Sequence, residues 1–423
     1  MQDTHPKATV PSRGSLTKTQ AGDAFAPSLA FVSIQVAGDY AALLVREMQE
    51  PDHAYVDLWN WTQGGSSHRV CILYNKSYFT LIPLEQCKIM EMDDIGDICF
   101  LSARTLLVTK IIGNCIDIYK IDDSFISDHI LTSMVRFELP ALALGRTRWP
   151  SPPHYSDMLA RSYPKADHIH MTNSLSSLTK PLFYPTPEDR ICEISCYVNE
   201  PIQMSRIIKL YVHIRVFLGM DPRVSDFLRA QRRTRAPWEF EHVDPQPGPA
   251  EHKWSRKPFT TVPWEIWGPR NTRWCFGSWD QPYTVFGLRV VDVVPAGFGS
   301  SDTETPSFQL RVRDFNPSAT SGPDGETLSD NWQSSVITEC QRIPRGTIFA
   351  DEVESYLPYR QVTTGERFQL SEVMIDDIQI VIKVFMPCNP HVIIQLTSTF
   401  MLSPMVKKMT RSLCSGSSTE RTI

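Results

Sequence analysis

Histidines and cysteines at short spacings are the first residues in this chain that could perform chemistry. His168 and His170 form the sequence HIH, with His154 nearby, and two such histidines on a strand can face one metal ion. Because the surrounding stretch is polar, flanked by prolines and without a third ligand at a useful spacing, we favour solvated loop histidines. Cys192 and Cys196 share one face of a strand pattern but are too distant for a tight metal site, so we expect buried apolar thiols.

Paired carboxylates are a second candidate, because two acids whose pKa values are split can act as general acid and base. Such pairs occur at 93–94, 122–123 and 376–377, but neighbouring residues on a strand or turn point apart, which favours turn residues. The segment PAGFGSSD at 295–302 starts like a dinucleotide-binding loop. It lacks the third glycine and a following helix, so we interpret it as a surface hairpin. The sequence therefore predicts a protein that is not an enzyme, with no catalytic residue, metal site or cofactor.

Tryptophans form the most concentrated feature, with Trp264, Trp267, Trp274 and Trp279 inside sixteen residues. The Gly-Pro pair at 268–269 predicts a turn, and the segments TRWCF and YTVFGLRVV predict a strand pair after it. Buried aromatic side chains can hold a proline-rich crossing that lacks hydrogen bonds of its own. We favour such a structural corner, and an aromatic cage for a ligand is the alternative.

Arginines accompany these tryptophans and also cluster elsewhere. Arg270 and Arg273 could stack on the indole rings or pair with nearby acids. A separate basic cluster consists of Arg229, Arg232, Arg233 and Arg235. Three interpretations of that cluster stay open: a localisation signal, a patch for an acidic partner, and a solvated helix end where cations suit the helix dipole.

Short strand patterns dominate the elements that must position these side chains. Runs rich in valine, isoleucine, leucine and aromatics follow one another from residue 29 to 121 and again from 191 to 398. The sequence YVDLWNW at 55–61 is echoed by CIDIYKI at 115–121, each preceded by a paired β run and a turn. These patterns predict an all-β fold, an irregular WD40-like β-propeller with a proline-rich loop and a short helical insertion.

Proline-rich stretches set the predicted boundaries. One runs from Pro140 to the segment FYPTPEDR and the other from Pro237 to Pro263, and we expect loops or edge strands there because proline lacks the ladder donor. Between them, PRVSDFLRAQRRTR predicts one helix that begins after Asp221. We expect a disordered tail over 1–28, a propeller-like domain over 29–403 with proline-rich insertions over 140–262, and a flexible tail over 404–423.

Charge and hydropathy exclude several classes of function. The net charge is −5, and 42% apolar with 21% charged residues is typical of a globular protein. A dedicated nucleic-acid binder carries a basic footprint, so we expect no nucleic-acid partner. No apolar run approaches the ~18 residues of a membrane span, and the first residues lack the apolar core of a signal peptide. We therefore expect no membrane partner and a cytoplasmic or nuclear location.

Several motifs occur in an order that is informative as a set. They are Pro263-Trp264, Trp267-Gly268-Pro269, Thr272-Arg273-Trp274 and Gly287-Leu288-Arg289. This order resembles the signature segment of a large group of F-box proteins from mushroom-forming fungi. The stretches GDYAALLVREMQEPDHAYVDLWNWTQG, DICFLSARTLLVT, CIDIYKI, ESYLPYRQV and LSEVMIDDIQIVI are similar to other parts of that family. The likeness covers about residues 29–400.

The resemblance implies a WD40-like propeller region that holds a protein substrate for a cullin ubiquitin ligase, without performing chemistry itself. The motif residues that would bind the partner or support its surface are Trp264, Trp267, Arg270, Arg273, Trp274 and Arg289. We find no F-box pattern in this chain, so we expect a Skp1-type adaptor as a partner only if an F-box lies upstream. A scaffold propeller unrelated to ubiquitin and a propeller-fold hydrolase are the alternatives.

Overall fold

The computed structural model describes residues 30–47, 54–60, 69–73, 87–91, 95–110, 114–121, 131–143, 155–161, 188–198, 206–234, 260–277, 284–296, 307–320, 332–375, 379–386, 389–397 and 410–413. Most of them form short strands in several largely antiparallel sheets, and helices are few. The chain is therefore all-β, as its strand patterns predict.

Two five-stranded sheets begin the fold. Sheet I consists of β1 (Ala30–Ala37), β2 (Tyr40–Glu47), β3 (Ala54–Asn60), β4 (Arg69–Leu73) and β5 (Cys87–Glu91), paired in chain order. Sheet II consists of β6 (Ile95–Ser102), β7 (Thr105–Lys110), β8 (Cys115–Ile121), β9 (Leu131–Glu138) and β13 (Thr260–Val262). β13 joins the sheet from far along the chain and runs parallel to β9.

The strands of sheet III come from the chain before and after β13. Its strands are β10 (Tyr155–Arg161), β11 (Ile191–Val198), β12 (Arg206–His213) and β14 (Thr272–Gly277). Helices α1 (Ile214–Phe217) and α2 (Pro222–Thr234) follow β12, and α3 (Trp264–Asn271) connects β13 to β14. The chain thus leaves sheet III after β12, adds one strand to sheet II, and returns through α3 to complete sheet III.

The remaining strands form sheets IV and V and one hairpin. Sheet IV contains β15 (Val285–Phe286), β16 (Arg289–Pro295), β17 (Phe308–Asp314), β21 (Tyr359–Thr364) and β18 (Trp332–Ile337), in that spatial order. Helix α4 (Pro317–Thr320) follows β17, and β19 (Gln341–Ile343) pairs with β20 (Val353–Ser355). Sheet V contains β22 (Leu370–Ile375), β23 (Gln379–Met386), β24 (Asn389–Thr397) and β25 (Thr410–Leu413).

Four apolar interfaces join sheets I to V in chain order. Sheets I and II share one buried core, sheets II and III a second, sheets III and IV a third, and sheets IV and V a fourth. Burial of both faces explains why strands such as β6 and β8 read as nearly continuous apolar runs. In the part of the chain that the structure describes, no buried core joins sheet I to sheet V, and no sheet closes into a barrel.

The predicted helix is confirmed as α2, which spans Pro222–Thr234. Asp221 begins it, because its Oδ1 accepts hydrogen bonds from the backbone N–H groups of Arg223 (3.0 Å) and Val224 (3.2 Å). A side-chain acceptor at this position satisfies donors that the first turn of a helix leaves unpaired.

The predicted turn at Gly268-Pro269 is wrong, because both residues lie inside α3. A proline is tolerated there since the helix has only 8 residues and the one missing hydrogen bond would end on Glu265, which is exposed. The predicted strand pair is also wrong: β14 pairs with β12 in sheet III, whereas β15 and β16 belong to sheet IV. Strand β14 buries side chains on both faces, because sheet III packs against sheet II on one side and against sheet IV on the other.

One strand confirms the expectation of edge strands in the proline-rich stretches, and another lies where the sequence predicts a flexible tail. β10 falls in the first proline-rich stretch and forms an edge of sheet III, the position in a sheet that tolerates nearby prolines. β25 falls within the predicted flexible tail and pairs with β24. The sequence pattern does not show this strand, because its pairing uses backbone hydrogen bonds and needs no run of apolar side chains. The predicted N-terminal tail and the rest of 404–423 lie outside the described residues. Among the described residues, no helix has the length and apolar character that crossing a membrane requires.

Candidate functional site

Three tryptophans form one buried cluster where the chain passes from sheet II to sheet III. We call Trp264, Trp267 and Trp274 the tryptophan corner; their side chains are 7%, 0% and 1% exposed. The ring of Trp264 lies 4.9 Å from that of Trp267 and 5.9 Å from that of Trp274, between ring centres. Trp267 also packs edge-on against Phe137 at 5.5 Å, and its Nε1 donates a hydrogen bond to the Glu138 carbonyl at 3.0 Å. The cluster therefore links α3, β9 and β14.

The local sequence explains how α3 presents these rings. Pro263 holds an extended conformation before the helix, with φ −69° and ψ 155°. At the other end, the Asn271 side chain donates to the Trp267 carbonyl at 3.2 Å, and the Thr272 hydroxyl donates to the Gly268 carbonyl at 2.7 Å. Side chains thus bind carbonyls that the end of a short helix leaves without partners.

Gly268 is required by the ring that lies on it. A Cβ atom at this position would overlap the indole of Trp264. We expect Gly268→Ala to lower the free energy of unfolding by about 1–3 kcal/mol, since overpacking of this kind outweighs the roughly 0.5–1 kcal/mol that alanine gains in a helix. Urea unfolding measures the change. In a Trp264→Leu background the same substitution should cost little, and a stabilised Gly268→Ala variant would contradict the packing described here.

Arg273 borders the tryptophan corner but points to the opposite face of β14. Its Nε donates to the Leu357 carbonyl at 2.8 Å, and both terminal nitrogens donate to the Glu339 carbonyl at 3.0 Å. The guanidinium lies 5.5 Å from the ring centre of Tyr359, so it stacks on a tyrosine and not on an indole. Burial lowers the pKa of Arg273 below its ordinary value. This arginine ties sheet III to the segment that enters sheet IV.

The other residues of the predicted motif lie elsewhere. Arg270 is exposed in the last turn of α3. Arg289 begins β16 in sheet IV, where its Nε lies 3.2 Å from Oδ2 of Asp314. Trp279 lies outside the described residues. The structure therefore brings together Trp264, Trp267 and Trp274. It places Arg273 on the opposite face of β14 and Arg289 in sheet IV.

A buried polar network joins sheets III and IV beside Arg273. Asp292 accepts two hydrogen bonds from Arg311, at 2.9 and 2.7 Å, and one from Nη1 of Arg313 at 2.7 Å. The Arg313 guanidinium lies between the rings of Tyr211 and Tyr359, at 5.7 and 5.8 Å from their centres. One carboxylate and two aromatic faces thus surround a cation that is only 3% exposed.

Two further acid–base pairs connect neighbouring strands. Oε1 of Glu193 accepts hydrogen bonds from Lys209 at 3.0 Å and from Ser195 at 3.1 Å, and the lysine and glutamate side chains are 1% and 0% exposed. In sheet II, Arg136 forms a two-pronged pair with Asp117 at 2.7 and 2.9 Å. Buried charges of this kind must be paired, so each pair fixes the register of its two strands.

Sequence reasoning missed these pairs, although the strands carry a signal. Each acid interrupts an otherwise apolar run, in CIDIY, ICEISCYV and VVDVV. A charge in a strand that is buried on both faces needs a partner, and in each case the next strand of the sheet supplies it. The identity of that partner depends on the register, which the acid alone does not determine.

Buried cysteines in this region are not placed to act as nucleophiles. Cys192 and Cys196 are both 0% exposed, which confirms the expected buried thiols. A hydrogen bond with Cys99 and burial raise the pKa of Cys192 well above its ordinary value. Burial, with the nearby Asp117, raises the pKa of Cys115 to about 12. Cys192 and Cys115 therefore stay protonated at neutral pH, and the thiolate is the reactive form.

His213, at the end of β12, should make stability depend on pH. Burial lowers its pKa from 6.5 to about 4, and the charge of Arg215 adds to the effect. The unfolded chain therefore takes up a proton near pH 6.5 that the folded chain resists until about pH 4. Stability is lost as pH falls through this window, by up to about 1.4 kcal/mol per pH unit. Urea unfolding from pH 7 to 4 should show a shallower loss in His213→Gln, and identical slopes would contradict this assignment.

The remaining sequence candidates cannot be placed in a site. His154, His168, His170 and the acidic pairs at 93–94, 122–123 and 376–377 lie outside the described residues. Most of the segment at 295–302 also lies outside the described residues; the strands on either side of it, β16 and β17, are antiparallel neighbours, as a hairpin requires. Across the described ranges, no group of three histidine, cysteine, aspartate or glutamate side chains is placed to hold a metal ion.

Comparison with known proteins identifies no relative of this chain. No protein-family model matches it, and no curated protein or solved structure does.

Proposed function

We propose that this chain is a non-catalytic protein-binding module, the WD40-like propeller region of an F-box-type receptor that holds a protein for ubiquitylation. One observation carries the proposal: five small sheets stack in chain order through four separate apolar interfaces. Small, largely antiparallel sheets that follow one another in this way are typical of propeller blades. Such folds present loops and strand ends to macromolecular partners.

The use of the polar side chains supports binding over chemistry. Asp292, Glu193 and Asp117 each neutralise a base of the same sheet. Charged groups held this way stabilise strand register and offer no free acid or base to a substrate. The described surface instead carries exposed arginine and aromatic side chains, which are the residue types that contribute most to protein interfaces.

The tryptophan corner would support one part of the binding surface. The backbone N–H of Tyr356 donates to the Pro269 carbonyl at 2.7 Å, which holds this tyrosine beside the end of α3. Tyr356 is 37% exposed and Arg270 is also exposed. An arginine and a tyrosine on a tryptophan-packed base suit an interface, because the backbone beneath them is already ordered and little of its entropy remains to be lost on binding.

Capture from cells that express a tagged copy of the chain tests the proposal. Arg270→Ala/Tyr356→Ala removes the surface beside the corner, and Ile34→Ala/Val36→Ala on sheet I is the matched control at exposed positions. A receptor should capture proteins that the first variant loses and the control keeps. The same proteins should accumulate, with less attached ubiquitin, when the gene is deleted.

The other outcomes decide between the remaining interpretations. Captured proteins whose ubiquitin content is unchanged on deletion would favour a scaffold propeller unrelated to ubiquitin. Failure of the wild-type chain to enrich any protein over the tag alone would contradict a protein-binding role.

A further inference from the structure

Helix α2 carries an unusual concentration of arginine on a fixed support. Its inward side is held by Val224, which is buried, and by Phe227 and Leu228, which pack against the core between sheets II and III. Asp221 caps its first turn through two hydrogen bonds. The helix is therefore held against the core, and its outward side chains face solvent along one side of this platform.

The outward side of this platform is positively charged. Its exposed cations are Arg223, Arg229, Arg232 and Arg233. The helix has one acid, Asp226, which pairs with Arg229 at 2.7 Å while both side chains stay more than half exposed. No carboxylate among the described residues pairs with Arg232 or Arg233. Most of the positive charge on α2 thus lies open to solvent.

Neighbouring helices extend this charge. Arg215 of α1 and Arg270 of α3 are exposed, and α3 packs against α2. The helical segments 214–234 and 264–271 hold six arginines, no lysine and three acids, in a chain whose net charge is −5. The positive charge is therefore local, on a protein that is negative as a whole.

Helix stability alone does not explain this arrangement. Cations suit the last turn of a helix, which accounts for Arg232 and Arg233. Arg223 lies in the first turn, where the dipole disfavours a cation and where the carboxylate of the capping residue binds backbone N–H groups. Arg229 and Arg233 are four apart, a spacing at which like charges repel, and the pair of Arg229 with Asp226 is too exposed to contribute much stability. Residues that oppose local stability without a structural reward are those expected at functional surfaces.

We propose that the outward face of α2 binds an acidic segment of a partner protein. Guanidinium groups present a planar fork that matches carboxylates with two hydrogen bonds at once, which lysine cannot do. A short run of aspartate and glutamate needs only local contact with Arg229, Arg232 and Arg233. A nucleic acid is disfavoured, because its long charged backbone would also meet the negative remainder of the protein.

The inference rests on the proposed protein-binding function and names the chemistry of one class of partner. Fluorescence anisotropy with the full chain measures it, using a labelled twelve-residue peptide that contains six glutamates and the same peptide with glutamine in their place. We expect the glutamate peptide to bind, the glutamine peptide not to bind, and the affinity to fall as salt is added.

Charge reversal separates the helix from a general charge effect. Arg229→Glu/Arg233→Glu should weaken the glutamate peptide at least tenfold. The matched control, Arg342→Glu/Arg345→Glu, changes the net charge equally at exposed arginines of the β19–β20 hairpin and should change affinity less than threefold. Thermal unfolding of both variants reports whether the fold is retained, which we expect because all four side chains are exposed.

Three results would overturn the inference: no binding of the glutamate peptide, equal loss in both variants, or tighter binding of a twelve-base-pair DNA duplex than of the peptide. The proposed function has an independent readout, because the capture experiment probes Arg270 and Tyr356 beside α3. Capture that survives Arg229→Glu/Arg233→Glu, with no peptide binding, would remove the acidic-segment inference and leave the protein-binding function in place.

Discussion

Replacing Asp292 with asparagine is expected to lower the free energy of unfolding by about 3–5 kcal/mol. The substitution keeps the shape of the side chain but removes the charge that faces Arg311 and Arg313. Arg313 is 3% exposed and cannot turn to water, so its charge would stay buried against two tyrosine rings. Chemical denaturation followed by tryptophan fluorescence measures the change.

Asp314→Asn is the matched control for this experiment. Asp314 pairs with Arg289 at 3.2 Å, but both side chains are more than one-fifth exposed, so its loss should cost about 0–1 kcal/mol. Similar losses in the two variants would contradict the view that the network between sheets III and IV is buried and strongly coupled.

In the wild-type protein, the same interaction should make the free energy of unfolding depend on pH in the acid range. Burial alone would raise the pKa of Asp292, but the charges of Arg313 and Arg311 outweigh it and hold the pKa below its usual 3.8. The stabilisation is therefore present above pH 3.8 and is lost as pH falls through the lower pKa of the folded state.

Trp267→Ala should cost about 3–5 kcal/mol, comparable to the loss at Asp292. Trp267 is 0% exposed, contacts Phe137, Phe217 and Trp264, and donates a hydrogen bond to the Glu138 carbonyl. Its removal leaves a cavity and an unpaired carbonyl between α3 and β9. Denaturant unfolding measures the loss, and near-ultraviolet circular dichroism should lose part of its tryptophan signal.

Phe276→Ala provides the contrast, because this ring is 55% exposed on the same strand as Trp274 and should change stability by no more than about 0.5 kcal/mol. The pair of variants also tests the two sequence interpretations of the tryptophans. A structural corner requires a large loss at Trp267, whereas an aromatic cage for a ligand would tolerate alanine with nearly unchanged stability.

Local sequence patterns were sufficient to predict individual strands and helix α2, but not which strands pair with one another in the sheets. The run CIDIYKI predicts a strand at 115–121, which the structure confirms as β8, and Asp221 with the following residues predicts α2. Both depend only on side-chain spacing and on a cap within the same turn. The all-β class follows from the repetition of such strands and the scarcity of helical periodicity.

Helix α3 and the exchange of β13 and β14 could not be predicted in the same way. The sequence WEIWGPRN contains glycine and proline, which disfavour a helix, and burial of Trp264 and Trp267 three residues apart overrides that preference. The sheet that β13 joins depends on which edge is available 125 residues earlier in the chain, at β9, where Thr260 pairs with Val135. Such long-range pairing leaves no signal in a local window.

The late arrival of β13 has a consequence for biosynthesis. While the polypeptide is still emerging from the ribosome, the residues of β6 to β9 are synthesised long before Val262. Until β13 is made, β9 is therefore an unpaired edge strand. Assembly of the second and third sheets is then coupled, because the pairing of β13 with β9 closes a long segment of chain that includes β10 to β12, and such long-range closure slows folding. A stop codon placed before Thr260 should therefore yield an aggregation-prone product in which the β9 border stays uncovered, instead of a shorter version of the native protein.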